Sequence, residues 1–90
     1  VKVAPELAGA DLEAAADAVM AAGAGGLIAT NTLGCVAPNG EPAGRSGLPL
    51  REISRERVAA IRKRVGDTAT VIGCGGIHDV ASARAMLDAG

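Results

Sequence analysis

Three small hydrogen-bonding residues directly follow a short apolar segment of the chain. Residues 26–29, GLIA, are predicted to form a buried strand, and Thr30, Asn31 and Thr32 come next. An asparagine amide offers a donor and an acceptor in one plane, and a threonine offers a hydroxyl. The group therefore suits a planar ligand with amide-like edges, or a carboxylate. The same three residues could instead satisfy backbone groups where the strand ends.

A glycine-rich segment closes another predicted strand. Residues 72–77, IGCGGI, contain Gly73, Gly75 and Gly76, and a helix is predicted to begin near Asp79. Glycines allow positive φ and leave backbone N–H groups uncovered, and a helix N-terminus adds the positive end of its dipole. This combination predicts a phosphate site, whereas a tight turn alone rarely needs three glycines.

Two further features are compatible with ligand binding but are weaker as isolated motifs. Residues 44–50, GRSGLPL, form a second glycine-bearing loop in which Gly47 can bring the backbone close to a ligand. Lys2 lies between Val1 and Val3 in the first predicted strand, so strand alternation directs it opposite to both valines. A lysine facing a helix layer would be costly to desolvate, so we expect Lys2 to face a negatively charged ligand.

Strands and helices alternate along the chain. The long connection between residues 33 and 50 contains Asn39-Gly40, a turn signal compatible with the tip of a hairpin. Ser54 and Asp79 are predicted N-caps. The predicted strands span residues 1–4, 26–29 and 70–73, and the predicted helices span residues 10–23, 54–66 and 79–90.

This order predicts parallel strands covered by helices. Two architectures fit, a part of a (β/α)8 barrel containing about three βα units or a part of a doubly wound sheet. In both, ligands bind beyond the C-terminal ends of the strands. A whole barrel takes about 250 residues, and this chain has 90 residues and no aromatic residue. We therefore expect residues 1–90 to be one partial domain cut from a larger one.

Charge and composition exclude several other classes of function. The net charge is −1, which provides no general attraction for nucleic acid. Most of the basic residues between Arg45 and Arg64 are predicted to form the solvated face of one helix, with Arg62, Lys63 and Arg64 outward. No apolar run approaches the roughly 20 residues of a membrane helix. Two cysteines and one histidine do not form a convincing metal site, so no metal is predicted.

Four motifs taken together resemble dihydroorotate dehydrogenase, the flavin enzyme of pyrimidine synthesis. VKVAPEL, GLIATNT, SGLPL and IGCGGI occur in the order and approximate spacing of that family, and the resemblance covers essentially all 90 residues. IATNT and SGLPL are most similar to the quinone-dependent, membrane-associated class. The family usually has a Gly-Gly pair before Ser-Gly, where this chain has residues 43–45, Ala-Gly-Arg.

The resemblance implies a C-terminal portion of an FMN-binding (β/α)8 barrel that oxidises dihydroorotate to orotate. Lys2 would approach the flavin ring, where its charge would stabilise the reduced form. The resemblance implies FMN contacts for Lys2, Thr30, Gly47, Gly75 and Gly76, and hydrogen bonds from Asn31 and Thr32 to the orotate ring.

The same resemblance places the catalytic base upstream of residue 1, so no catalytic residue is predicted in this chain. It implies a quinone as the electron acceptor and attachment to the membrane through a missing N-terminal segment. The expected location is the cytoplasm or the inner face of the cell membrane. Two alternatives remain open: another phosphate-binding barrel enzyme, such as a different flavin reductase or a sugar-phosphate isomerase, or an inactive isolated fragment.

Overall fold

A computed structural model describes all 90 residues as a parallel sheet with helices on one face. The sheet has the order β1-β2-β5, and both of its strand pairs are parallel. An antiparallel hairpin, β3–β4, follows β2. The strands are β1 (Lys2–Val3), β2 (Gly26–Ala29), β3 (Leu33–Val36), β4 (Pro42–Arg45) and β5 (Thr70–Gly73), and the helices are α1 (Gly9–Ala21), α2 (Arg51–Val65) and α3 (Val80–Ala89).

A single apolar core lies between the sheet and the three helices. It joins Val3 of β1 and Leu27 of β2 to Leu12 of α1, Ile61 of α2 and Met86 of α3. All three helices therefore cover the same face of the sheet. A doubly wound sheet carries helices on both faces, so the arrangement of these residues differs from that alternative.

The register of the parallel strands separates a covered face from an open one. Val3 pairs with Ala29, and both are buried beneath the helices. Lys2 pairs with Ile28, which pairs with Ile72 on the other side, and these three residues share the opposite face because side chains alternate along a strand. Lys2 and Ile72 are exposed. The prediction that Lys2 points away from Val3 is confirmed.

The predicted turn at Asn39-Gly40 is confirmed, and it connects the two strands of the hairpin. Gly40 has φ 84° and donates its N–H to the Ala37 carbonyl at 2.8 Å, while the Asn39 side chain accepts from Glu41 N–H at 3.1 Å. The hairpin is tied to the segment after β1, because the Glu6 carboxylate accepts from Gly34 N–H at 2.8 Å. This hydrogen bond lowers the pKa of Glu6.

The prediction that Ser54 caps the second helix is wrong. A 3-10 turn over Leu48–Leu50 leads directly into α2, which begins at Arg51. Ser54 consequently lies in the first full turn of α2, where it is completely buried. The other predicted cap is confirmed, since Asp79 accepts from Ser82 N–H at 2.7 Å at the start of α3.

Arg64 is exposed as predicted, although it pairs with α1 at the surface, whereas the outward orientation predicted for Arg62 is wrong because Arg62 is half-buried against other segments. Arg64 of α2 donates to the Asp17 carboxylate of α1 at 2.8 Å, which raises the pKa of Arg64 and lowers that of Asp17. Arg62 donates to the carbonyl oxygens of Gly90 at 2.9 Å and Ala69 at 3.1 Å. Lys63 is exposed, as predicted.

None of the three helices combines the length and the apolar character needed to cross a membrane.

Candidate functional site

Backbone hydrogen bonds bring the ends of the three parallel strands together. Asn31 N–H donates to the Val3 carbonyl at 2.8 Å, linking the ends of β2 and β1. On the other side, Thr30 N–H donates to the Cys74 carbonyl at 2.8 Å, and Cys74 N–H donates to the Ala29 carbonyl at 2.6 Å. The Thr-Asn-Thr segment is therefore a neighbour of the glycine-rich turn after β5, as the parallel arrangement predicts.

The three polar residues after β2 have different environments. Thr30 is 2% exposed, and its hydroxyl is the only buried side-chain polar atom in the chain that lacks a hydrogen-bond partner. Asn31 and Thr32 are exposed. The Asn31 side-chain oxygen accepts from Thr32 N–H at 2.9 Å, while its amide nitrogen donates to no protein group. Hydrogen bonding to the backbone at the strand end therefore uses only the side-chain oxygen of Asn31. The amide nitrogen of Asn31 is left free to donate a hydrogen bond.

The hairpin packs against the last of these residues. A Cβ added to Gly44 of β4 would overlap the Thr32 side chain, so Gly44 leaves the space that Thr32 occupies. The hydrogen bond from Gly34 N–H to the Glu6 carboxylate fastens β3 to the segment after β1, and the hairpin therefore packs beside Thr32. The sequence did not predict this contact, since the segment between Thr32 and Ser46 was interpreted mainly as a loop.

The glycine-rich turn after β5 presents consecutive free backbone donors. Gly75 and Gly76 have φ values of 108° and 73°, which other residues rarely adopt. The N–H groups of Gly75, Gly76 and Ile77 donate to no protein acceptor. Successive N–H groups in a tight turn form a concave anion-binding arrangement. This geometry is compatible with the predicted phosphate site.

Gly76 also has a packing role that the sequence did not indicate. A Cβ at Gly76 would overlap the backbone of Arg51, the first residue of α2. The turn therefore rests on the N-terminal end of α2, and glycine at this position is required by packing as well as by φ. A loss of ligand binding caused by a large residue at Gly76 would consequently not by itself identify a phosphate contact.

The second glycine-bearing loop meets the turn through the start of α2. Gly47 has φ 78°, and its carbonyl accepts from Leu50 N–H at 3.0 Å in the 3-10 turn. The side chain of Leu50 is buried against Gly75, where a Cβ would lie 3.1 Å from the Leu50 Cδ1 atom. The structure thus connects the two predicted glycine motifs, although they are separated by about 25 residues along the chain.

The N-terminus of α3 differs from the sequence expectation. It was predicted to add a positive dipole to the phosphate site, but the Asp79 carboxylate occupies the first turn. Hydrogen bonds from the Ser82 side chain and backbone lower the pKa of Asp79. This carboxylate already compensates the positive end of the helix dipole. Anion binding here would therefore depend mainly on the N–H groups from Gly75 to Ile77.

Lys2 carries a positive charge that no acidic residue neutralises. It forms no ion pair, and its side chain makes no hydrogen bond to the protein. It lies on the open face of the sheet in register with Ile28, two residues before Thr30. Lys2 is thus on the side of the sheet that the helices leave uncovered.

Comparison with known proteins identifies relatives along the whole chain. The dihydroorotate dehydrogenase (quinone) of Streptomyces griseus is 40% identical over 99 aligned positions, which cover 100% of this chain and 27% of that protein. The corresponding protein of Nocardioides sp. is 41% identical, with 28% of its length covered. The crystal structure of dihydroorotate dehydrogenase from Eimeria tenella in complex with ferulenol superposes with a TM-score of 0.87 at 31% identity, covering all of this chain and 26% of that one.

This chain is homologous to a segment of dihydroorotate dehydrogenase. The resemblance predicted from the four motifs is confirmed, and the curated relatives carry the quinone-type name. The chain spans about a quarter of the length of these dihydroorotate dehydrogenases. No protein-family model matches the chain.

Neither the motifs nor the resemblance to dihydroorotate dehydrogenase indicated that Ser54 contacts the glycine-rich turn. Its hydroxyl donates to the Gly75 carbonyl at 2.6 Å, across 21 residues of sequence. A serine at the start of an apolar helical pattern normally indicates an N-cap. No local signal distinguishes such a cap from a serine that reaches a distant carbonyl, so only the three-dimensional contact reveals it.

Proposed function

We propose that this chain is a segment of a dihydroorotate dehydrogenase that oxidises dihydroorotate to orotate, using FMN and a quinone acceptor. One observation carries the proposal: Thr30–Thr32 and the two glycine segments lie together at one edge of a sheet that matches dihydroorotate dehydrogenase along its whole length. The relatives are quinone-type dihydroorotate dehydrogenases by name, and we extend that acceptor to this protein. Membrane attachment and cellular location stay predictions.

The residues at this edge fit the phosphate and the ring system of FMN. The free N–H groups of Gly75, Gly76 and Ile77 would bind the phosphate. Gly47 would allow the backbone of the loop over residues 44–50 to lie close to FMN. This loop contacts the glycine-rich turn through Leu50. The unpartnered Thr30 hydroxyl also fits a bound group, because a donor supplied by the cofactor would remove the cost of an unsatisfied buried oxygen.

Substrate binding is assigned to the exposed polar residues beside this cofactor site. The free amide nitrogen of Asn31 would donate to a carbonyl or carboxylate of the substrate, and Thr32, supported by Gly44, would add a hydroxyl. Bound FMN would supply the two-electron acceptor chemistry. Lys2 would hold an uncompensated positive charge on the open face of the sheet, and such fixed charges can be a large catalytic factor.

The larger architecture that we propose is a (β/α)8 barrel in which residues 1–90 contribute three βα units. The one-sided helices support it, because a barrel carries its helices only on the outside. The row of Lys2, Ile28 and Ile72 would then face the barrel interior. The outer strands β1 and β5 each have one unpaired edge, where further strands would continue the sheet.

The proposal is tested with the full-length protein that contains this chain. We expect it to purify with bound FMN and to reduce a soluble quinone analogue only when dihydroorotate is present. Lys2→Met removes the charge while nearly keeping the side-chain length, and it is expected to lower the rate per bound flavin by about a hundredfold. Lys63→Met is the matched control, since Lys63 is an exposed lysine on α2 without an ion pair.

The outcomes separate the alternatives. A flavin-containing protein that does not respond to dihydroorotate would indicate a different flavin reductase. A protein that binds no flavin would contradict the FMN assignment and favour another phosphate-binding barrel enzyme. Equal effects of the Lys2 and Lys63 variants would remove Lys2 from the proposed site.

A further inference from the structure

Ser54 is a fully buried serine whose hydroxyl lies between two carbonyl oxygens. Its Oγ is 2.6 Å from the Gly75 oxygen and 3.3 Å from the Arg51 oxygen. A hydroxyl has one proton to donate, and the shorter distance is typical of a strong O–H···O hydrogen bond. The Ser54 proton is therefore directed at Gly75, which links the first turn of α2 to the glycine-rich turn.

This hydrogen bond sets the direction of the next backbone donor. The peptide between Gly75 and Gly76 is trans, and in a planar trans peptide the carbonyl oxygen and the following N–H point in opposite directions. Because Ser54 holds the Gly75 oxygen toward α2, the Gly76 N–H is directed away from α2. That N–H has no acceptor within the protein, although Gly76 is buried.

The turn packs against Leu50 and Arg51, but this packing supplies no hydrogen bond to the Gly75–Gly76 peptide plane. Both residues are glycines, which have the widest choice of φ and ψ, and Ser54 makes the only side-chain hydrogen bond to the peptide that joins them. The His78 ring nitrogen lies 3.1 Å from the Gly76 oxygen, so it acts on the following peptide. Without the Ser54 hydroxyl, no hydrogen bond would fix the orientation of the Gly75–Gly76 peptide plane.

We propose that Ser54 is a positioning residue that orients Gly76 N–H toward the cofactor phosphate. The inference rests on the proposed function, in which Gly75, Gly76 and Ile77 bind the phosphate of FMN. It adds that affinity for the phosphate depends on a side chain that does not touch the ligand. The dependence is specific to the phosphate, because Ser54 makes no hydrogen bond to a residue proposed to bind the flavin ring or the substrate.

The test compares FMN with riboflavin, which carries the same ring system but no phosphate. Dissociation constants are measured by fluorescence for the full-length apoprotein and its Ser54→Ala variant. Loss of a well-oriented hydrogen bond to a charged group predicts an increase of about tenfold in the Kd for FMN. Riboflavin affinity is expected to stay unchanged, so the ratio of the two dissociation constants should change by the same factor.

Two further variants separate positioning from general destabilisation. Thr68→Val removes a hydroxyl–carbonyl bond of the same 2.6 Å length after the other end of α2, where Thr68 donates to Val65. It should lower thermal stability without changing the ratio of FMN to riboflavin affinity. Ser54→Cys keeps nearly the same volume with a weaker donor, and it should give an intermediate ratio even if the alanine variant does not fold.

Each outcome bears on the inference. A selective loss of FMN affinity supports it. Equal losses for FMN and riboflavin, or no loss for either, would overturn it and leave Ser54 as a packing residue only. A wild-type protein that binds riboflavin as tightly as FMN would contradict the phosphate site itself, and one that binds neither would contradict the proposed function.

Discussion

Asn31 is the residue at which the ligand-binding interpretation is most directly tested. Its amide oxygen is engaged with Thr32 N–H at 2.9 Å, and its amide nitrogen is free in an exposed position. Asn39 provides a natural comparison, because its side-chain oxygen accepts from Glu41 N–H in the hairpin turn. The two asparagines make similar local hydrogen bonds, and only Asn31 lies beside the proposed cofactor site.

The first prediction concerns Asn31→Ala in the full-length protein. The variant should retain FMN but lose about tenfold to a hundredfold in kcat/KM for dihydroorotate, since an unmade buried hydrogen bond costs about 1–3 kcal/mol and each 1.4 kcal/mol is tenfold. Inhibition by orotate should weaken in parallel. Rates are measured per bound flavin, with Asn39→Ala as the control. An unchanged kcat/KM per flavin would mean that Asn31 only satisfies the strand end.

A second prediction separates the packing role of Gly76 from its proposed ligand role. Gly23 has φ 82° and open space around it, whereas a Cβ at Gly76 would overlap Arg51. Gly23→Ala and Gly76→Ala should both be destabilised because alanine rarely adopts a positive φ. Gly76→Ala should lose about 1–3 kcal/mol more in unfolding free energy because its Cβ is also overpacked. Denaturant unfolding of the full-length apoprotein measures the difference. Equal losses at the two positions would show that the turn can move away from α2.

Several residue environments could not be predicted from residue type. The amide of Asn31 and the glycines of the turn were correctly expected at one edge of the sheet, because parallel strands place their ends together. The burial of the Thr30 hydroxyl and the bond from Ser54 to Gly75 were not expected. Both depend on contacts between distant segments, which leave no periodic signal in the sequence.

At the scale of elements, the sequence predicted the order of strands and helices but not every boundary. Apolar periodicity located β2 and β5 at their observed residues. The start of α2 was missed by three residues, because the 3-10 turn over Leu48–Leu50 contains Pro49 and reads as a loop. Pairing of Arg64 with α1 was missed because a charged helix face looks the same in sequence whether it meets solvent or another helix.

The N-terminus of α3 gives a prediction about pH. Ser82 lowers the folded-state pKa of Asp79 from the ordinary value of 3.8. The unfolded state therefore binds more protons than the folded state, so this group's contribution to stability is fully present above about pH 4 and is lost as the pH falls through the folded pKa. Asp79→Asn keeps a good N-cap but cannot titrate in this range.

The measurement is thermal unfolding of the full-length apoprotein and its Asp79→Asn variant between about pH 2.5 and pH 7. The difference in Tm should be constant near neutral pH and should shrink below about pH 4. Glu6, Asp17 and Glu52 also have lowered pKa values, so both proteins should lose stability in acid. A difference that does not change with pH would show that the Asp79 charge contributes nothing to stability.

At the scale of the whole molecule, the core is thin. The chain has no aromatic residue, and 16 of its 90 residues are buried. Large apolar side chains remain exposed on the open face of the sheet and on α3. Among them, Ile72 is 50% exposed, Val80 70% and Leu87 79%. The local sequence pattern does not indicate which surface covers these residues in a longer protein.

The 90-residue polypeptide on its own should therefore self-associate. The outer strands β1 and β5 each present an unpaired edge, and such edges promote pairing with other chains. Size-exclusion chromatography with light scattering should give a mass above the 8.8 kDa of one chain. Ile72→Lys would place a charge on the open face and should shift the distribution toward the monomer. A wild-type chain that is monomeric at high concentration would contradict this prediction.

The last prediction is that the 90-residue polypeptide does not oxidise dihydroorotate, even with added FMN. Its proposed site residues lie at one edge and on the open face of a three-stranded sheet, and Lys2, Asn31 and Thr32 are exposed, so a ligand there would be covered on one side only. Catalytic groups act most strongly where water is excluded, and the resemblance to dihydroorotate dehydrogenase places the catalytic base outside these residues. Dihydroorotate-dependent reduction of a dye is measured for the polypeptide and for the full-length protein at equal FMN. Reduction by the polypeptide above the rate of free FMN would show that these three βα units contain a complete catalytic site.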